Sequence, residues 1–197
     1  IVKEFNFFKV STGDLLRKEI QKKSSLGTGI KSIMEHGILV SDDIINDLIE
    51  NILSEDNYFS RIIFDGYPRN INQAKHLDVL IKKYNQKISC VFNLKVNMDS
   101  IMKRFTGREV CSKCGSIFNE FFNASTTENH RCNPKFLQKR SDDNEKTVRN
   151  RFEAYSKETL PVLDHYKGQN LLHEIDGMND ISLISEEIHR IIHALDT

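Results

Sequence analysis

No run of 18 apolar residues occurs in this sequence, which excludes an ordinary membrane-spanning helix. No signal peptide is visible. There is no net charge either: Lys and Arg together number 28, and so do Asp and Glu. That balance excludes a generally polybasic nucleic-acid or membrane binder. Prolines are few, three in all, and there is no internal repeat or low-complexity tract. Cysteine is scarce but clustered. Of Cys90, Cys111, Cys114 and Cys132, three crowd into one segment. That pattern points to a metal site or reduced thiols rather than a secreted disulfide framework. The histidines form no Ser-His-Asp arrangement with their neighbours.

What is present suits a single domain with a sizeable core and small insertions: 197 residues, 39% hydrophobic and 28% charged. Strands are predicted at 6–10, 61–65, 89–94 and 171–176. Helices alternate with them. Ser11 or Thr12 can cap the first, Gly37 stops the second, and Ser41 opens the third. Further helices are predicted over 70–84, from about Asp99, over 142–166 with a kink near Pro161, and over 180–195. This alternation implies an α/β fold, a parallel sheet with helices on both faces. Residues 109–139 lose all periodicity, and that stretch is too long for an idle loop. The charge balance is also uneven. From Ser100 to Arg151 there are 11 Lys/Arg against 6 Asp/Glu, and a concave face of that kind favours an anionic ligand.

"FDGYPRN", residues 64–70, sits where ligands collect in such folds, at the carboxyl end of a strand. Asp65 brings a charge suited to a metal or its bound water. Gly66 allows close backbone approach. Pro68 stiffens the turn that aims Arg69, whose planar guanidinium suits a bidentate grip on phosphate. The plain alternative is a strand-to-helix turn with a capping acid. Other residues weigh against it. "STGDLLR" places Thr12 at a helix N-terminus, where anions are favoured, and Arg17 further along. Arg104 and Arg108 lie one helical turn apart. Arg140, Arg149 and Arg151 follow the irregular stretch. Together they suggest a site for several phosphates.

These segments resemble the adenylate kinase family. "FDGYPRN" followed by Gln73, "STGDLLR", "EHGILVSDD", "FTGR" and "RSDDNEKTVRNR" look like that family's segments, in order and at near-family spacing. The resemblance implies a nucleoside monophosphate kinase fold: a five-stranded parallel sheet, an AMP-binding helical insertion and a mobile lid. The implied division is a core of 1–24, 55–107 and 141–197, an insertion of 25–54 and a lid of 108–140. The implied reaction is Mg-dependent phosphoryl transfer from ATP, or GTP, to AMP. By match to the family pattern, Thr12, Arg17, Arg69 and Gln73 hold AMP, framed by Gly66 and the backbone of Ile38, Leu39 and Val40. Arg104 and Arg108 meet the donor nucleotide, and Arg140 and Arg151 close over the transferring phosphoryl. Asp65 orients Mg-bound water. A monomer inside the cell, in cytoplasm or mitochondrion, is the family expectation, with no nucleic acid or membrane as partner.

"CSKCG", residues 111–115, has the form of a zinc knuckle. The family's second ligand pair is incomplete here, because Cys132 is followed by Asn133, Pro134 and Lys135. His130 is the candidate for the fourth position. The alternative is a lid that holds itself by packing "IFNEFF". The family's glycine-rich phosphate loop, GxxxxGK[ST], is not in the sequence. The opening "IVKEFNFFKV" resembles the end of the helix that should follow that loop and its central strand. The expectation is therefore residues upstream of Ile1, or a degenerate relative that binds AMP without turnover.

Overall fold

The computed structural model describes residues 1–54 and 61–195. The first half runs β1 (Phe8–Ser11), α1 (Thr12–Gln21), α2 (Ser25–Glu35), α3 (Asp42–Leu53), β2 (Ile62–Asp65) and α4 (Ile71–Lys83). Then come β3 (Val91–Lys95), α5 (Met98–Thr106), β4 (Arg108–Cys111), β5 (Ile117–Asn119) and β6 (Leu137–Gln138). The chain ends with α6 (Glu145–Ala154), a π-helical turn (Tyr155–Thr159), α7 (Leu160–Lys167), β7 (Leu172–Asp176) and α8 (Ile181–Leu195). No helix among the described residues is long and apolar enough to cross a membrane.

The α/β reading holds, with parallel strands and crossover helices. β1 pairs with β2, setting Ser11 opposite Asp65. β3 pairs with β7, setting Lys95 opposite Asp176. The described residues thus form two parallel pairs rather than the five-stranded sheet that the resemblance implies. No ladder joins β2 to β3, and neither strand contains a fully buried residue.

The first strand starts two residues later than predicted. Asn6 takes a left-handed backbone (φ 54°), which interrupts an extended run there. Ser11 occupies the cap position of α1 but makes no side-chain cap bond. Thr12 does not cap either, because its hydroxyl is committed elsewhere. By contrast Gly37 ends α2 as expected, at φ 72°.

One apolar core collects Val10 from β1, Leu16 from α1, Ile30 from α2, Ile45 and Ile49 from α3 and Leu77 from α4. Each such side chain contributes about 1.5–3 kcal/mol when fully buried. The helices of residues 25–54 are therefore anchored to the strand layer by packing. A smaller cluster of Ala74, Val162 and Tyr166 joins α4 to α7.

The predicted kink near Pro161 is the π-helical turn just before it. Asn144 caps α6 by accepting from the Thr147 N–H at 3.0 Å, so the helix begins after Asp142 and Asp143 rather than with them. The aperiodic stretch 109–139 carries most of an antiparallel sheet, ordered β5-β4-β6. Strands of two to four residues are too short to show an alternating pattern. The expected boundary at residue 55 lies outside the described residues.

Candidate active site

The parallel pairing of β1 and β2 brings their carboxyl ends level, and the site is built there. The Thr12 hydroxyl, buried at the start of α1, donates to the Gly66 carbonyl oxygen at 2.8 Å. Arg69 Nε donates to the same oxygen, also at 2.8 Å. Gly66 sits at φ 75°, and a Cβ there would lie 2.8 Å from the Arg69 guanidinium. Only glycine fits both constraints. The Arg69 N–H donates to Gln73 Oε1 at 2.8 Å. Gln73 Nε2 and Asn70 Nδ2 both donate to Asp42 Oδ1, at 2.7 and 2.8 Å. The buried Gln73 amide thus ties the Arg69 turn to the start of α3.

Around this turn the positive charges converge. Burial lowers the pKa of the Arg69 guanidinium below its ordinary value, and the charges of Arg151 and Arg17 lower it further, while Asp65 opposes them. Arg140 is lowered in the same way, by burial and by Arg108 and Arg17, against Asp143 and Asp142. The Arg140 guanidinium has no hydrogen-bond or ion-pair partner among the described residues. Mutual repulsion of this kind is relieved by a bound polyanion. Arg17 is steadied by Asp14 at 2.7 Å, and Arg108 by a two-pronged pair with Asp143. Arg151 pairs with Asp142. Phe105 lies beneath both Arg108 and Arg151, with ring centroid to guanidinium carbon distances of 4.9 and 5.6 Å.

Not every predicted residue joins this group. Arg104 donates to the Gly177 carbonyl at 3.0 Å and lies over the Phe122 ring. Arg149 pairs with Glu145 on the exposed face of α6. Asp65 is exposed and paired with Lys9 at 2.9 Å. Ile38 is exposed, Leu39 half-buried and Val40 buried, and a cavity of about 300 Å³ is lined by Gly37, Ile38, Leu39, Asn150 and Ala154 among others. A separate cavity of about 460 Å³, lined by Leu172, His173 and Glu187 between β7 and α8, is no part of this site.

The antiparallel sheet carries the second cluster. One ligand atom each from Cys111, Cys114, His130 and Cys132 lie within 4.8 Å of one another. Metal–sulfur bonds of about 2.3 Å in a tetrahedron need edges of roughly 3.8 Å, so the cluster is of a size to hold a metal ion. The knuckle is shaped by the Gly115 N–H bonding the Cys111 carbonyl at 2.8 Å, with Gly115 at φ 74°. The Ser125 hydroxyl lies 3.0 Å from His130 Nδ1, which leaves Nε2 facing the thiols, 3.6 Å from Cys114 Sγ. Hydrogen bonds from Ser116 pull the Cys114 thiol down to about 6, whereas burial and the neighbouring thiols push Cys132 up to about 11. A divalent cation would relieve the repulsion among three thiolates. Cys90 is half-buried and lies outside this cluster.

Residues 1–171 match the family model described as adenylate kinase. The chain belongs to the adenylate kinase family. It is 43% identical to the adenylate kinase of Pelagibacter ubique, over 98% of this chain and 90% of that protein. It is 37% identical to that of Nitrosococcus oceani, over 96% and 88%, and 35% identical to that of Clostridium acetobutylicum, over 98% and 90%. As a member of the adenylate kinase family it is a nucleoside monophosphate kinase, a phosphotransferase. The reading as a degenerate domain without catalysis is not the better supported of the two.

Four features of the site left little or no trace in the sequence: Phe105, Ser125, Asp142 and Asp143. The two adjacent acids inside an arginine-rich stretch were a usable signal. Phe105 depends on the packing of α6 against α5, and Ser125 on the local folding of the thiol segment.

Proposed function

We propose that the protein transfers a phosphoryl group from ATP to AMP within the arginine cluster, as a monomer with a mobile lid. Arg17, Arg69 and Thr12 serve the AMP side, framed by Gly66 and the backbone of Ile38 to Val40. Gln73 acts there through the Arg69 backbone. Arg104 and Arg108 serve the donor. Arg140 and Arg151 neutralise charge on the transferring phosphoryl. The division into a core, an insertion of 25–54 and a lid of 108–140 follows the same reading.

Phosphoryl transfer needs positioning and charge neutralisation more than covalent chemistry. The observation that carries the proposal is the gathering of Arg17, Arg69, Arg108, Arg140 and Arg151 around the Gly66–Asn70 turn and the start of α6, close enough that burial and neighbouring arginines lower Arg69 and Arg140. Mg supplies charge neutralisation between donor phosphates when bound. The exposed Asp65 carboxylate, at the end of β2, would hold it through water. Closure of residues 108–140 would exclude water and limit wasteful hydrolysis. Cys111, Cys114, His130 and Cys132 would hold zinc in a structural role, since all four positions are protein ligands.

Arg69→Ala tests the assignment. The expected result is a loss of turnover of about 100-fold or more with an unchanged circular dichroism spectrum. A fully active variant would overturn it.

A further inference from the structure

We propose that Thr159 is a positioning residue for Arg69, and that the π-helical turn exists to put its hydroxyl there. This rests on the assignment of Arg69 to the AMP phosphate.

The Thr159 hydroxyl donates to the Arg69 carbonyl oxygen at 2.7 Å, across 90 positions of sequence. It makes the one hydrogen bond described between the helix of residues 145–167 and the Gly66–Asn70 turn. With it, Arg69 is held at three points: its N–H by Gln73, its carbonyl by Thr159, and its Nε by the Gly66 carbonyl. What remains of the guanidinium can face a ligand.

The helix geometry explains why the turn is π-helical. Thr159 follows Arg151 by eight residues. In an uninterrupted α-helix of 3.6 residues per turn, they would stand about 80° apart around the axis. A π turn absorbs one extra residue, which returns them to within about 20°. The Leu160 N–H bonds the Tyr155 carbonyl, the wider spacing this requires. Arg151 and Thr159 thereby share one face.

The same helix is fastened at its other end. The Thr147 hydroxyl donates to the Glu35 carbonyl at 2.8 Å, and Asn150 Nδ2 donates to the His36 carbonyl at 2.9 Å. It is a strut running from the end of α2 to the Arg69 turn. Arg69 and Arg151 repel each other, so their spacing needs an outside constraint, and Thr159 supplies it.

The test is Thr159→Val, which keeps the shape and removes the hydroxyl, with Thr159→Ser restoring it. Thr159→Val should raise the KM for AMP and the Kd for AMP by about 3- to 10-fold, with the KM for ATP unchanged. Thr159→Ser should return both AMP constants to the parent values. If Thr159→Val does not fold, Thr159→Ala carries the same comparison. Unchanged AMP constants in the hydroxyl-free variant would overturn the proposal, and so would equal effects on both nucleotides or no rescue by serine. Arg69→Ala, measured alongside, separates the two failures. If it leaves AMP binding intact, the site assignment itself falls.

Discussion

Arg108 and Asp143 meet through two parallel hydrogen bonds, Nε to Oδ2 at 2.7 Å and Nη2 to Oδ1 at 2.5 Å. The Asp143 side chain is fully buried, and Arg108 is mostly so. Truncating one partner of a buried pair leaves the other charge uncompensated. Asp143→Ala should therefore cost about 3 kcal/mol or more of stability, read by denaturant unfolding. A change near zero would mean that water or another group takes over the arginine.

The neighbouring acid sets a pH dependence. Burial raises the Asp142 carboxyl, but the hydrogen bond and charge of Arg151 outweigh it, and its pKa lies below the ordinary value. A depressed folded pKa contributes stability above the unfolded pKa of about 3.9, lost as pH falls through the folded value. Asp142→Asn should destabilise at pH 6, and the gap from the parent should narrow below about pH 4. A gap that stays constant in melting temperature from pH 6 to 2 would remove the Asp142 charge from the account.

Two glycines in α2 give opposite expectations. A Cβ on Gly27 would lie 2.5 Å from the Glu19 carbonyl oxygen of α1, whereas one on Gly29 meets nothing within 4 Å. Gly27→Ala should force α1 and α2 apart and cost about 1–3 kcal/mol. Gly29→Ala should stabilise by up to about 1 kcal/mol through helix propensity. Thermal unfolding of both variants checks the pair.

The cysteine cluster should bind one zinc ion per chain. Its affinity should rise with pH, because each bound thiol gives up its proton. Metal analysis with and without chelator, and the thiolate charge-transfer bands of a cobalt-substituted sample, read this directly. His130→Ala should weaken binding. No bound metal after reconstitution would leave the segment held by packing alone.

The sequence by itself determined the order of helices and parallel strands, because their periodicity is local and the apolar stripes are long enough to read. It also marked Arg69, Arg108, Arg140 and Arg151, whose residue types are costly to gather without an anionic ligand. The short strands β4 to β6 were illegible, since two to four residues cannot show a period. Tertiary structure alone decided which acids neutralise which arginines and that Phe105 underlies two of them. It brought His130, the fourth position offered by the sequence, beside the three thiols, with Ser125 against its other ring nitrogen. It alone placed the Thr159 hydroxyl on Arg69. The decisive contacts, Arg108 with Asp143 and Thr159 with Arg69, join residues far apart in the chain, and only packing determines which distant side chains meet.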